Sequence, residues 1–188
     1  GQYAEGDQFL GIRVPVIRQQ VDLCRDMPLT DLVEVLHSPY HEERLLALLA
    51  MVDHFRRGDT STARSIYQCY LANTAHINNW DLVDSSAHQI VGAWLADKKR
   101  QPAFKLARSK NLWERRIAMV ASYHWIKRGD LDDAMALAEQ LLEDQQDLIH
   151  KASGWMLREV GKKDEDALLG FLNSNYGAMP RTMLRYAI

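Results

Sequence analysis

The chain has 188 residues, 47% of them hydrophobic and 26% charged, and a formal net charge of −2 at pH 7. That is enough chain for a sizeable core, and the charge gives none of the global basic footprint expected of a nucleic-acid binder. No stretch approaches the ~18 consecutive apolar residues of a membrane span and no basic-then-apolar leader opens the chain, so a cytoplasmic protein with no membrane partner is the default expectation.

Apolar residues recur at helical spacing almost throughout, and no run alternates as a half-buried strand would, so the fold class is expected to be all-α. Pro15 opens a helix carrying Ile17, Val21 and Cys24. Thr30 is expected to cap a short helix with Leu32, Val33 and Leu36, which Ser38-Pro39 ends. A long helix from about Tyr40 to Arg57 turns Leu45, Leu48, Leu49 and Val52 inward and stops at Gly58; the next carries Ile66, Tyr67, Tyr70 and Leu71. Asn79 caps a helix that opens with Trp80 and runs to about Asp97. Pro102 begins a short helix, and a longer one from Leu112 to Arg128 stops at Gly129. Leu131 to Glu143, Leu148 to Val160 and Glu165 to Leu172 follow, and Pro180 begins the last helix.

Glu43-Arg44 with Ala47, Ala50 and Arg57-Gly58-Asp59 is echoed by Glu114-Arg115 with Ala118, Ala121 and Arg128-Gly129-Asp130. With the Trp80 helix between them, the echo spans two units of roughly 35 residues, the size of a helix-pair repeat. The expected architecture is a single domain over residues 1–188, a curved α-α superhelix of HEAT-like helix pairs with one helix of each pair on the concave face. The helices beginning near residues 40, 80, 112 and 148 hold the aromatic and basic residues and are assigned to that face. The acidic residues Asp130, Asp132, Asp133, Glu139, Glu143, Asp144 and Asp147 crowd one segment, so opposite signs are expected on opposite faces.

Three of the assigned helices carry unusual groups at spacings of three and four, which place each group on one helical face. These are Trp80 and Asp84; Trp113 and Arg116; and Lys151, Trp155 and Arg158. Tryptophan at helical spacing is most often core, and an aspartate facing an arginine is most often a structural ion pair. Recurrence on three successive helices favours a groove instead. Indole faces attract cations, a fixed carboxylate stabilises the oxocarbenium-like state of glycosidic cleavage, and flanking Lys and Arg hold phosphates. His124, on the stripe of Trp113, Arg116 and Val120, is a candidate phosphate contact.

In FLGIRVPVIR, NNWDLVD, LWERRIA, HKASGWMLRE and the closing MPRTMLRYAI, the sequence resembles the AlkD family of bacterial DNA alkylation-repair glycosylases, over essentially the whole chain and in order. The resemblance implies HEAT-like repeats and an active-site cleft of two tryptophans, an aspartate and an arginine, which fall on Trp80, Trp155, Asp84 and Arg116. It implies backbone contacts at Arg158 and Arg18, and excision of 3-methyladenine and 7-methylguanine from duplex DNA without base extrusion and without a cofactor. On this reading Trp80 and Trp155 pack on the deoxyribose, Asp84 stabilises the oxocarbenium sugar and helps position water, and Arg116 binds phosphate. The enzyme is expected to be a monomer.

Two departures from the family pattern stand beside this. The chain is slightly acidic where such glycosylases are expected to be basic, and it is expected to lack a helix before FLGI and further residues after Ile188. The opening GQYAEGDQ has no assigned counterpart. The seven histidines are read as surface or capping residues with no metal site, since Pro39 breaks the register of His37 and His41 and the others lie on different helices. Cys24 and Cys69 are expected to be buried thiols. No nucleophile elbow surrounds Ser85-Ser86 and no phosphate-cradling glycine loop is present. A catalytically silent binder of DNA structure and a protein-interaction scaffold are the alternative readings.

Overall fold

A computed structural model of the chain describes residues 6–188, so only the first five residues of the unassigned opening lie outside the described part. Those residues are helical apart from connecting turns and one isolated parallel bridge, Gln8 to Tyr40, and the all-α expectation holds. Contacts group the chain into two compact units, residues 1–86 and 87–188.

In the first unit, α1 (Val14–Gln20) runs into a 3-10 turn (Val21–Cys24) and is followed by α2 (Leu29–Leu36), α3 (His41–Arg57), α4 (Thr60–Ala72), a second 3-10 turn (Thr74–His76) and α5 (Trp80–Ala87). α1, α2 and α4 all pack on α3. Its Leu45, Leu48, Leu49 and Val52 are buried as the pattern predicts, but so are His41, Glu42 and Arg44. Polar groups taken out of water need partners, and these three find them outside α3. Glu42 accepts the backbone N–H groups of Leu10, Gly11 and Ile12 at 2.9, 2.8 and 3.2 Å. Gly11, at φ +76°, makes the turn that lets the three amides converge. Thr30 does not cap α2: the helix begins at Leu29 with Pro28 in the cap position, and the Thr30 hydroxyl donates to Asp31 instead. A proline whose φ is already −57° sets the helix start without a side-chain acceptor.

In the second unit, a π-helical segment (His88–Gly92) precedes α6 (Ala93–Leu95), α7 (Gln101–Leu106), α8 (Leu112–Lys127), α9 (Asp132–Gln140), α10 (Asp147–Gly161), α11 (Glu165–Asn175) and α12 (Arg181–Ala187). α8 packs against the π segment, α7, α9 and α10, and α10 against α9, α11 and α12. Consecutive helices therefore pair, α3 with α4, α8 with α9 and α10 with α11, as a helix-pair repeat requires. The two echoed glycines end their helices differently: Gly129 turns at φ +82° with its N–H on Ile126 O, whereas Gly58 stays at φ −75°.

Two expectations change in this unit. The helix from Trp80 to about Asp97 is not regular, because His88–Gly92 widens into a π turn. There a Cβ on Gly92 would stand 2.2 Å from Ala121 O, and the buried Trp125 donates its indole N–H to Gly92 O at 2.8 Å. α8 approaches too closely, and takes a backbone carbonyl too directly, for a uniform α-helical ladder. Nor do opposite charges separate onto opposite faces. Arg100 pairs with Asp130 and with Asp133 (2.9 Å), Arg115 with Asp144 (2.6 Å) and Lys151 with Asp147 (2.8 Å), so four of the segment's seven acidic residues have a basic partner close by.

Candidate functional site

The stretch Asn78-Asn79-Trp80-Asp81 starts α5, and each residue has its own task. Asn79 Oδ1 accepts the Trp80 N–H at 2.8 Å and its carbonyl accepts the Val83 N–H at 3.1 Å, so it is the cap the sequence predicts. Asn78 Oδ1 accepts from Arg44 Nη1 at 2.6 Å. Asp81 Oδ2 lies 2.7 Å from His41 Nε2, and Asp7 Oδ2 lies 3.1 Å from His41 Nδ1. Asp7 also holds Arg44 at 2.6 Å, and the Phe9 ring stacks on His41. α3 thus holds the start of α5 through two side chains, His41 on Asp81 in its first turn and Arg44 on Asn78 just before it.

An imidazole between two carboxylates needs a proton on both nitrogens. Burial works against the charged ring, but the bonds to Asp81 and then Asp7 outweigh it, so His41 titrates above its ordinary value. Burial likewise works against the Asp7 carboxylate, and the bonds from Arg44 and His41 bring it below its ordinary value. His41 is therefore not a surface or capping histidine. A carboxylate on each side, supplied by segments distant in sequence, makes burial of the ring tolerable.

Held in this way, α5 turns Leu82 and Val83 fully into the core and leaves Trp80 44% exposed. Tryptophan usually contributes its area to the core; here that task falls to Trp125, which is fully buried with Arg100 over its ring at 4.3 Å. Asp84, one turn after Trp80 on the same helix, is half-buried. Burial pushes the Tyr70 phenol well up, its bond with Ser86 (2.9 Å) opposes this, and the nearby Asp84 carboxylate adds to the rise. Trp80 and Asp84 together give a partly exposed indole with a carboxylate one turn away on the same helix. Arg18, the remaining candidate of this unit, is exposed in the last turn of α1.

In the second unit Asn111 caps α8 by accepting the N–H of the half-buried Trp113 at 2.9 Å. Arg116 is buried and donates from Nη1 to Leu148 O at the start of α10. Trp155, half-buried on α10, donates its indole N–H to Glu159 at 3.3 Å and meets the Tyr123 ring at 5.5 Å between centroids. Lys127 lies over Tyr123 at 4.7 Å and His88 meets it edge-on at 5.3 Å. Lys151 pairs with Asp147 at 2.8 Å, and Arg158 is half-buried. Burial, then Lys127 and Arg128, push His124 towards its neutral form, so a phosphate would meet a neutral ring N–H there. Tyr123 is absent from the sequence-based set. Its signal was its position seven residues after Arg116, on the same face of α8.

The sequence model of a family described as DNA alkylation repair enzyme matches residues 2–188. Among solved structures, one described as a predicted DNA alkylation repair enzyme from Enterococcus faecalis is similar with a TM-score of 0.74 at 16% identity, over 98% of this chain and 89% of that one. AlkD2 from Streptococcus mutans is similar with a TM-score of 0.68 at 16% identity, over 94% and 88%. The smu.31 protein of Streptococcus mutans UA159 gives 0.67 at 16% identity, over 93% and 89%. No curated protein matches the sequence.

Proposed function

The chain belongs to the DNA alkylation repair enzyme family, and on that premise we propose that it is a monofunctional DNA glycosylase that hydrolyses the N-glycosidic bond of N-alkylated purines, 3-methyladenine and 7-methylguanine, in duplex DNA. A purine alkylated on a ring nitrogen is already cationic, so the leaving base needs neither a proton donor nor a metal. What the reaction lacks is stabilisation of the sugar as positive charge moves onto it. A carboxylate fixed beside the sugar supplies most at that moment, because its charge is in place before the charge it stabilises develops.

The observation that carries this reading is the pair on α5, an indole left 44% exposed one turn before a half-buried carboxylate. Trp80 packs on the deoxyribose, and Asp84 stabilises the oxocarbenium-like state and helps position the attacking water. Contact through the sugar requires no extrusion of the base into a pocket, in contrast to most enzymes that act on bases. The enzyme works as a cytoplasmic monomer on duplex DNA. Trp155 supplies a second indole and Arg116 a phosphate contact; Arg18, Trp113, His124, Lys151 and Arg158 contact the DNA.

The test is release of 7-methylguanine from methylated duplex DNA, with Asp84→Asn beside the wild type. Release should fall at least about a hundredfold in Asp84→Asn, a loss of some 3 kcal/mol of transition-state stabilisation, while affinity for DNA stays within about twofold. Release no greater than that of the Asp84→Asn control would sink the enzyme reading. Salt-dependent DNA binding without release would leave the catalytically silent binder, and neither binding nor release would leave the protein-interaction scaffold, which the net charge of −2 favours.

A further inference from the structure

From Lys98 to Trp113 the chain carries six cations and no carboxylate: Lys98, Lys99, Arg100, Lys105, Arg108 and Lys110. Elsewhere many of the basic side chains are matched, Arg25 by Asp22, Arg57 by Asp53, Arg115 by Asp144 and Lys162 by Glu159. Around α7 the balance differs. Lys99, Arg100, Lys105 and Arg108 line a concavity of about 480 Å³ together with Gln101, Phe104 and Asp133, and Asp130 stands behind Arg100.

Arg100 is fully engaged as the floor of this space. It pairs with Asp130 and Asp133, donates to Ala96 O at 3.0 Å and lies over the Trp125 ring. Lys99, Lys105 and Arg108 are exposed, and among the described residues none of their side chains makes an ion pair or hydrogen bond. Three like charges gathered around one hollow repel one another, and a polyanion seated among them turns that repulsion into attraction while releasing the counterions that otherwise screen it. The space is several times the size of one phosphate group, and the half-buried Phe104 offers an apolar wall that a free inorganic anion would not use. A sugar-phosphate backbone satisfies both features, with charge for the cations and an apolar deoxyribose face for the ring.

We propose that this concavity on α7 is a binding site for consecutive backbone phosphates of duplex DNA, separate from the residues assigned to catalysis and from the DNA contacts named above. Choosing DNA among polyanions rests on the repair reading. The site supplies affinity that the overall charge does not, and it carries no information about the lesion.

The test is binding of an undamaged, labelled duplex across a series of NaCl concentrations. Replacing Lys99, Lys105 and Arg108 together by Ala should make the slope of log K against log[NaCl] shallower by roughly 3, at about 0.9 for each phosphate no longer neutralised. Lys99→Arg with Lys105→Arg should keep the wild-type slope. A control removing three cations elsewhere, Arg25→Ala, Arg57→Ala and Lys162→Ala, should keep it as well. The site is refuted if the first variant matches this control, if the wild type shows no salt-dependent binding, or if polyglutamate binds the wild type more tightly than duplex and the first variant loses it. A shallower slope without 7-methylguanine release supports the site and overturns the glycosylase reading. Release with an unchanged slope does the reverse.

Discussion

Trp80 and Trp125 both fall within regular helical patterns, yet their surroundings assign them opposite tasks. Trp125 is fully buried, donates to Gly92 O and supports Arg100, so Trp125→Ala should cost about 3–5 kcal/mol in urea unfolding. Trp80 is 44% exposed and makes up little of the core, so Trp80→Ala should cost about 1 kcal/mol or less while base release falls steeply. Equal stability losses in the two variants would mean that Trp80 is a core residue and not a sugar-binding wall. Periodicity could not make this distinction, because it gives the face on which a residue lies and not what covers that face. It did place Trp80 and Asp84 together and predict Asn79 as the cap, since spacing and capping are local properties. The His41 site was illegible for the opposite reason: its partners Asp7 and Asp81 lie 34 and 40 residues away, and only tertiary packing brings two carboxylates to one imidazole.

At the scale of an element, the π segment is the clearest gap between pattern and fold. Helical spacing runs through His88–Gly92 without a break, so nothing local announces the wider turn. Its origin lies in α8, whose Ala121 carbonyl leaves no room for a side chain on Gly92. Gly92→Ala should therefore destabilise by about 3 kcal/mol or more, because the atom in the way is backbone and cannot rotate aside. Gly170, inside α11, has open space where a Cβ would stand, with nothing within 4 Å, and Gly170→Ala should instead stabilise by about 0.5–1 kcal/mol through loss of backbone freedom in the unfolded chain. Chemical denaturation of the two variants checks both signs. Boundaries elsewhere were more legible, because Pro102 and Gly129 act through their own backbone geometry.

Over the whole molecule, the buried histidines make the two units respond differently to pH. In the second unit burial, with Lys127 and His124 adding to it, pushes His88 down to about 4, and its Nδ1 is buried with no partner among the described residues. A group whose folded pKa is depressed contributes its stability above the unfolded value and loses it as pH falls. For His88 up to about 3 kcal/mol should disappear between pH 6.5 and pH 4, and the lowered His124 adds to the same slope. In the first unit His41 is raised, so its contribution is complete below pH 6.5 and is lost as pH rises through its folded pKa. His76, pushed down by burial and then by His37 and Arg44, works against His41 on the acid side but not on the alkaline side. Amide hydrogen exchange, corrected for the intrinsic rate at each pH, should therefore quicken first in residues 87–188 on going from pH 7 to pH 5, and first around α3 and the start of α5 on going to pH 9. His88→Phe should flatten the acid response and leave the alkaline one, and His41→Gln should do the opposite. A uniform change across both units, or variants that leave both slopes intact, would show that these two histidines do not set the pH limits of the fold.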